Sequence, residues 1–119
     1  AGGTRIDPHA FEVDTLKELG MPEEMVMRHR TPQFGHLFNN DDYAAGYYAY
    51  LWSEVLGHDA FEAFKEEGGP YNARTAKRYR DTVLSVGNTV DPAVAYRNFR
   101  GRDEDVNAYL RAKGFPVTA

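Results

Sequence analysis

The chain has 119 residues, 42% of them apolar, with 14 basic against 18 acidic side chains, a net charge of −4 and a pI near 5.5. This is enough for one folded domain and one core, and the acidic balance argues against nucleic acid, whose usual footprint is a basic patch. Cysteine is absent, which excludes disulfides and thiolate metal sites.

No apolar run approaches the ~20 residues of a membrane span, and no signal peptide opens the chain. Ala1-Gly2-Gly3-Thr4 reads as a cut end and not as structure. The first helix is predicted over "DPHAFEVDTLKELG". Phe11, Leu16 and Leu19 have roughly helical spacing, Asp7 can cap it, Pro8 suits its first turn and Gly20 can end it. "MPEEMVMRHR" predicts a short second helix starting at Pro22 and stopped by Thr31-Pro32. Residues 33–42 should be irregular, since Asn39, Asn40, Asp41 and Asp42 are turn-formers. A long helix is predicted from Tyr43 to about Lys65, capped by Asp41 or Asp42. Its buried stripe should run through Ala44, Tyr47 or Tyr48, Leu51, Val55, Phe61 and Phe64. Gly68-Gly69-Pro70 ends it.

"NARTAKRYRDTVLSVG" predicts another helix, with Ala73, Ala76, Tyr79 and Val83 on one face. Asp91-Pro92 opens a short one with Ala95, Tyr96 and Phe99 inward, ended by Gly101. In "DEDVNAYLRAKG", Asp103 is the expected cap, Val106, Tyr109 and Leu110 face inward, and Gly114 closes the helix. No stretch alternates as a strand would. The predicted fold is all-α, with five to six helices.

The four histidines are His9, His29, His36 and His58. None begins an HExxH motif, which sets two zinc ligands one helical turn apart. His58 and Glu62 are a lone pair at that spacing and read as a solvated helix face. His29, between Arg28 and Arg30, reads as a surface or supporting residue. There is no glycine-rich phosphate loop, and neither Ser53 nor Ser85 has a nucleophile signature around it.

The stretch "HLFNNDDYAAGYYAYLW" concentrates Tyr43, Tyr47, Tyr48 and Tyr50 within eight positions. On a helix, Tyr43, Tyr47 and Tyr50 would share one face, with Tyr48 turned toward Leu51 and Val55. Periodicity alone favours an amphipathic helix whose tyrosines are half-buried with hydrated hydroxyls. The alternative is a row of phenol donors facing a cleft. Each could donate to a carbonyl, a carboxylate or a developing oxyanion without bringing a charge.

Two blocks carry a resemblance. "RHRTPQFGHLF" followed by "YAAGYYAYLWSEVLGHDAF", and the closing "YRDTVLSVGNTVDPAVAYRNFRGRDEDVNAYLRAKGF", resemble the C-terminal region of the thimet oligopeptidase and peptidyl-dipeptidase (dipeptidyl carboxypeptidase) family of zinc metallopeptidases. The likeness runs from about Phe11 to Phe115, and the wording of the tyrosine block is most similar to the bacterial peptidyl-dipeptidase branch. The resemblance implies an all-α C-terminal portion of a larger catalytic domain, forming one wall of a deep substrate channel. It implies that the zinc, its HExxH helix and the third ligand lie upstream, so that this chain holds no cofactor while the parent enzyme holds one zinc ion. Carried over by motif position, His36 and Tyr50 would stabilise the oxyanion of the scissile carbonyl, with Tyr43 and Tyr47 binding substrate.

One departure concerns the loop before the tyrosines. Asn39-Asn40-Asp41-Asp42 replaces the family's usual glycines and should be stiffer and more acidic. The other is that every zinc ligand is missing. The chain is therefore expected to be a fragment, inactive alone. Its partners would be the N-terminal remainder of the parent enzyme and short peptide substrates, with no nucleic acid and no membrane. Self-association through the uncovered face and a cytoplasmic setting are also expected. The alternative is a stand-alone helical interaction module that keeps the scaffold without catalysis.

Overall fold

The computed structural model describes residues 3–117; Ala1 and Gly2 of the expected cut end lie outside the described residues. Among the described residues there are six α-helices and no strand, so the all-α expectation holds. The chain divides into two compact units, one up to Tyr47 and one from Tyr48 onward.

In the first unit, α1 spans Pro8–Glu18. The Asp7 carboxylate accepts from the His9 and Ala10 N–H groups at 2.9 and 3.0 Å, as its position before Pro8 predicts. Gly20 adopts φ 71° just past the helix, and the Gly20 and Met21 N–H groups reach back to the carbonyls of Lys17 and Leu16. The second predicted helix does not form. Residues 21–30 hold only a turn and a bend, followed by a 3₁₀ turn over Thr31–Gln33 and a single α turn, α2, over Gly35–Phe38. Tertiary contacts explain why the segment stays extended. Glu12 of α1 is buried; it pairs with Arg30 at 2.7 Å and accepts the Thr31 N–H. Arg30 also bonds His9 Nδ1 at 2.8 Å. That anchor outweighs the weak helical propensity of so short a stretch.

The second unit begins with α3, Ala49–Glu66. The sequence places its start at Tyr43, six residues too early. Residues 42–48 are turns, and Asp42 donates its N–H to Asn40 Oδ1 at 3.1 Å instead of capping a helix. The predicted stripe is also displaced. Tyr48 is 71% and Leu51 55% exposed, whereas Asp59 and Ala63 are buried with Val55, Leu56 and Phe64 half-buried.

Next come α4, Ala73–Tyr79, and a π-helical extension over Arg80–Leu84, in which the Ser85 N–H reaches the Arg80 carbonyl at 2.8 Å. Asn72 caps α4 through the Arg74 and Thr75 N–H groups. Helix α5, Pro92–Arg100, is capped by Asp91 and buries Ala95 and Phe99 as expected. Helix α6, Val106–Ala112, is capped by Asp105 and not by the predicted Asp103, which pairs instead with Arg97.

Helix α3 packs along α6, where His58 meets the Tyr109 ring, and each helix buries a small residue, Ala63 and Ala108. Three rings, Phe64, Tyr79 and Phe99, join α3, α4 and α5 with centroids 5.0–6.3 Å apart. The other half of the core is ionic. Fully buried Asp59 accepts both Arg102 terminal nitrogens at 2.8 and 2.6 Å, the Tyr96 hydroxyl at 2.7 Å and the Asp105 N–H at 3.0 Å. Arg100 adds a longer contact at 3.4 Å and holds Glu66 with two bonds of 2.7 Å. One carboxylate thus ties α3 to α5 and to the connection before α6.

Burial alone would push the Asp59 carboxyl up, but the Arg102 and Tyr96 hydrogen bonds, the Asp105 N–H and the Arg102 charge outweigh it and lower it to about 2. The same burial and the Asp59 carboxylate hold the Tyr96 hydroxyl protonated, well above the ordinary phenol range. A carboxyl depressed in the folded state contributes stability that is complete above its unfolded value of 3.8 and is lost as pH falls toward 2. The expected contribution is on the order of 2 kcal/mol. Urea midpoints measured between pH 5 and pH 2 should fall through that window, and a flat profile would contradict the clamp.

Candidate functional site

The first unit brings three of the four expected site residues together. His36 lies on α2, the turn that Phe34-Gly35 opens. The His36 ring stacks on Tyr43 with centroids 4.5 Å apart and planes 29° apart. Tyr47 meets His36 edge-on at 6.0 Å and 85°. The Asn39–Asp42 loop therefore keeps histidine and first tyrosine in contact despite lacking glycine. A glycine eases the close approach further on, at Gly46, where a Cβ would come within 3.2 Å of the Asp42 carbonyl oxygen. That tight turn leads from Tyr43 to Tyr47 without an α-helix.

Phe34 is the residue to which the sequence analysis gave no role. Its ring meets Tyr47 at 4.9 Å and 81°, and it lies 6.5 Å from His36. The exposed His29 also packs against Phe34, with centroids 4.7 Å apart. Such edge and tilted contacts are worth ~0.5–1.5 kcal/mol each beyond burial and restrict ring rotation. The sequence signal was the spacing Phe34-x-His36 inside the quoted "FGHLF", where a phenylalanine two positions from a donor can flank it.

Tyr50 belongs to the second unit, in the first turn of α3, and is 51% exposed. The expected common face of Tyr43, Tyr47 and Tyr50 does not exist as a helix face, because only Tyr50 is helical. The expectation that Tyr48 is covered while the other three are open is likewise overturned: Tyr48 is the most exposed, Tyr47 is 41% exposed and Tyr43 is half-buried. Apolar periodicity misled because it treated residues 43–48 as helical.

Chemically, the cluster combines an imidazole with neutral phenols. Both can donate to a carbonyl oxygen, and neither phenol carries a charge that a nearby substrate would have to neutralise. Among the described residues no three His, Asp or Glu side chains converge as metal ligands would. His58 lies 3.9 Å from Glu54 and against the Tyr109 ring, while Glu54 is also held by Lys113. That arrangement does not fit a zinc site. Among the described residues no helix is long and apolar enough to cross a membrane.

The sequence profile of Peptidase family M3 matches residues 10–115. Oligopeptidase A of Haemophilus influenzae is 46% identical over 106 residues, which are 86% of this chain and 15% of that protein. Oligopeptidase A of Escherichia coli is 37% identical over 113 residues, covering 92% of this chain and 16% of the relative. Dipeptidyl carboxypeptidase of Salmonella typhimurium is 38% identical over 87 residues, covering 73% and 12%. The chain thus spans no more than 16% of the length of these relatives. Both kinds of enzyme occur among them at similar identity, so overall likeness does not single out the peptidyl-dipeptidase branch.

Proposed function

The chain belongs to peptidase family M3, and from that premise we propose that it is the C-terminal part of a zinc-dependent oligopeptidase or peptidyl-dipeptidase acting on short peptides. Its share of the work is to bind substrate and to stabilise the oxyanion, with His36 and Tyr50 as donors to the scissile carbonyl and Tyr43 and Tyr47 as substrate contacts. The observation that carries this reading is the stacked His36–Tyr43 pair with Tyr47 set edge-on against it.

On this reading the zinc ligands belong to the N-terminal remainder of the parent; among the described residues no three His, Asp or Glu side chains converge. What the chain supplies is geometry. Phe34 and Tyr43 flank the imidazole, and the Glu12–Arg30 pair fixes the segment that leads into it. Donors held in place before charge develops need no reorganisation in the transition state. The relatives named "Probable cytosolic oligopeptidase A" and "Organellar oligopeptidase A, chloroplastic/mitochondrial", both of Arabidopsis thaliana, support a cytoplasmic setting and an organellar one alike; we favour the cytoplasm.

The test is hydrolysis of a short fluorogenic peptide. The isolated chain should show none, and a full-length M3 polypeptide carrying this segment should cleave it. Cleavage by the isolated chain would overturn the division of labour. An inactive full-length protein would favour the non-catalytic helical module.

A further inference from the structure

Helix α1 and the extended segment after it enclose a groove of about 350 Å³ within the first unit. Val13, Leu16, Met21, Met25, Val26 and Met27 line it. These are side chains that a finished core would cover, yet Val26 is 74% exposed and Met25 53%. Leu19, on the same helix end, is 74% exposed. The walls are held in shape by polar anchors, since Glu12 and Arg30, both lining the groove, pair with each other and the Met21 N–H bonds the Leu16 carbonyl. Apolar side chains left exposed together around one groove, and not scattered singly, are the kind of surface that marks an interface. Methionine suits a seat that must conform to another surface, because its side chain is unbranched and flexible.

We propose that this methionine-lined groove is the docking seat for an apolar segment of the M3 polypeptide lying outside these 119 residues; the inference rests on the reading of the chain as part of a longer enzyme. The relatives are more than six times as long as the matched stretch, so most of such a protein is available to cover it. A covalently continuous segment is favoured over a second copy, because linkage presents it at an effective concentration on the order of millimolar.

The chain carries its own probe. It has three methionines, Met21, Met25 and Met27, and all three line the groove. Hydrogen peroxide converts an accessible methionine to its sulfoxide, and peptide mapping reads each site separately. In a full-length M3 polypeptide containing this sequence, the three should oxidise at least tenfold more slowly than in the same protein in urea. In the isolated chain they should oxidise nearly as fast as in urea. Equal rates for the native and urea-treated full-length protein would overturn the proposal. So would protection in the isolated chain that rises with concentration alongside a dimer in sedimentation, since the occupant would then be a second copy.

Val26→Asp gives an independent reading. It should lower the melting temperature of the full-length protein while leaving the far-ultraviolet circular dichroism of the isolated chain unchanged. No shift in the full-length protein would refute the seat. Oxidation is read without substrate, so it separates from the donor assignment. Protected methionines with a fully active Tyr50→Phe protein would sink only the latter. Unprotected methionines with a crippled Tyr50→Phe protein would sink only the former.

Discussion

Tyr50→Phe in a full-length M3 polypeptide is expected to lower kcat by roughly 10²-fold or more, with KM changing far less. The substitution removes one hydroxyl and keeps the ring. Tyr50 sits half-exposed in the first turn of α3, away from the Asp59–Ala63 stripe that packs the helix, so folding should be preserved. A donor that meets charge only in the transition state affects kcat and kcat/KM together, whereas a ground-state contact would appear in KM. His36→Ala should behave similarly, because the loop that replaces the family's glycines still delivers His36 onto Tyr43. Tyr48→Phe is the comparison. Both phenols are exposed, so accessibility does not distinguish them, but Tyr48 precedes α3 as its N-cap residue whereas Tyr50 lies in its first turn, and the motif carries the donor role to Tyr50. Tyr48→Phe should stay within a few-fold of the parent. The reverse pattern, an intact Tyr50→Phe and a crippled Tyr48→Phe, would assign the donor to the wrong phenol.

Asp59→Ala should destabilise the second unit by ~3–5 kcal/mol, the cost typical of removing one partner from a buried ion pair. That is a large part of the ~5–15 kcal/mol that holds an ordinary domain. The substitution would leave the Tyr96 hydroxyl and the Asp105 N–H without their acceptor and Arg102 with only the Asp103 carbonyl. Asp59→Asn keeps the shape and half the accepting capacity, so it should lie between Ala and the parent. Joint replacement of Asp59 and Arg102 by Leu and Met should recover much of the loss, because the buried charge is then removed and not orphaned. Urea unfolding of the four proteins gives the order. Asp59→Ala within 1 kcal/mol of the parent would contradict a buried clamp.

How far the sequence revealed this molecule depended on the kind of signal. Helix starts were legible where an aspartate preceded a proline: Asp7 and Asp91 bond the N–H groups their positions predict, while the Asn72 cap went unnamed. Asp103 failed against Asp105 because two nearby carboxylates offer the same local signal, and Arg97 claimed the first. The stripe of α3 was misplaced because its most buried residue is an aspartate, made tolerable only by partners 37 to 46 positions away. Apolar periodicity has no means of finding such a residue. The candidate site residues came from motif resemblance and not from periodicity. The Phe34 contacts, which join His29 to Tyr47, became visible only with the fold.

The π-helical stretch after α4 has a consequence for how the chain accommodates length. Within Arg80–Leu84 the backbone closes each hydrogen bond over five residues and not four, which accommodates one extra residue without interrupting the rod. Turns follow directly from Ser85, so the wide stretch closes the helix, and the side chains within it are rotated from the positions a plain α continuation from Ala73 would give them. Thr75 and Arg78 on the near side stay fixed to Glu67, while Val83 turns to the groove beside Trp52 and Tyr96. An insertion in this protein can thus be absorbed inside a helix.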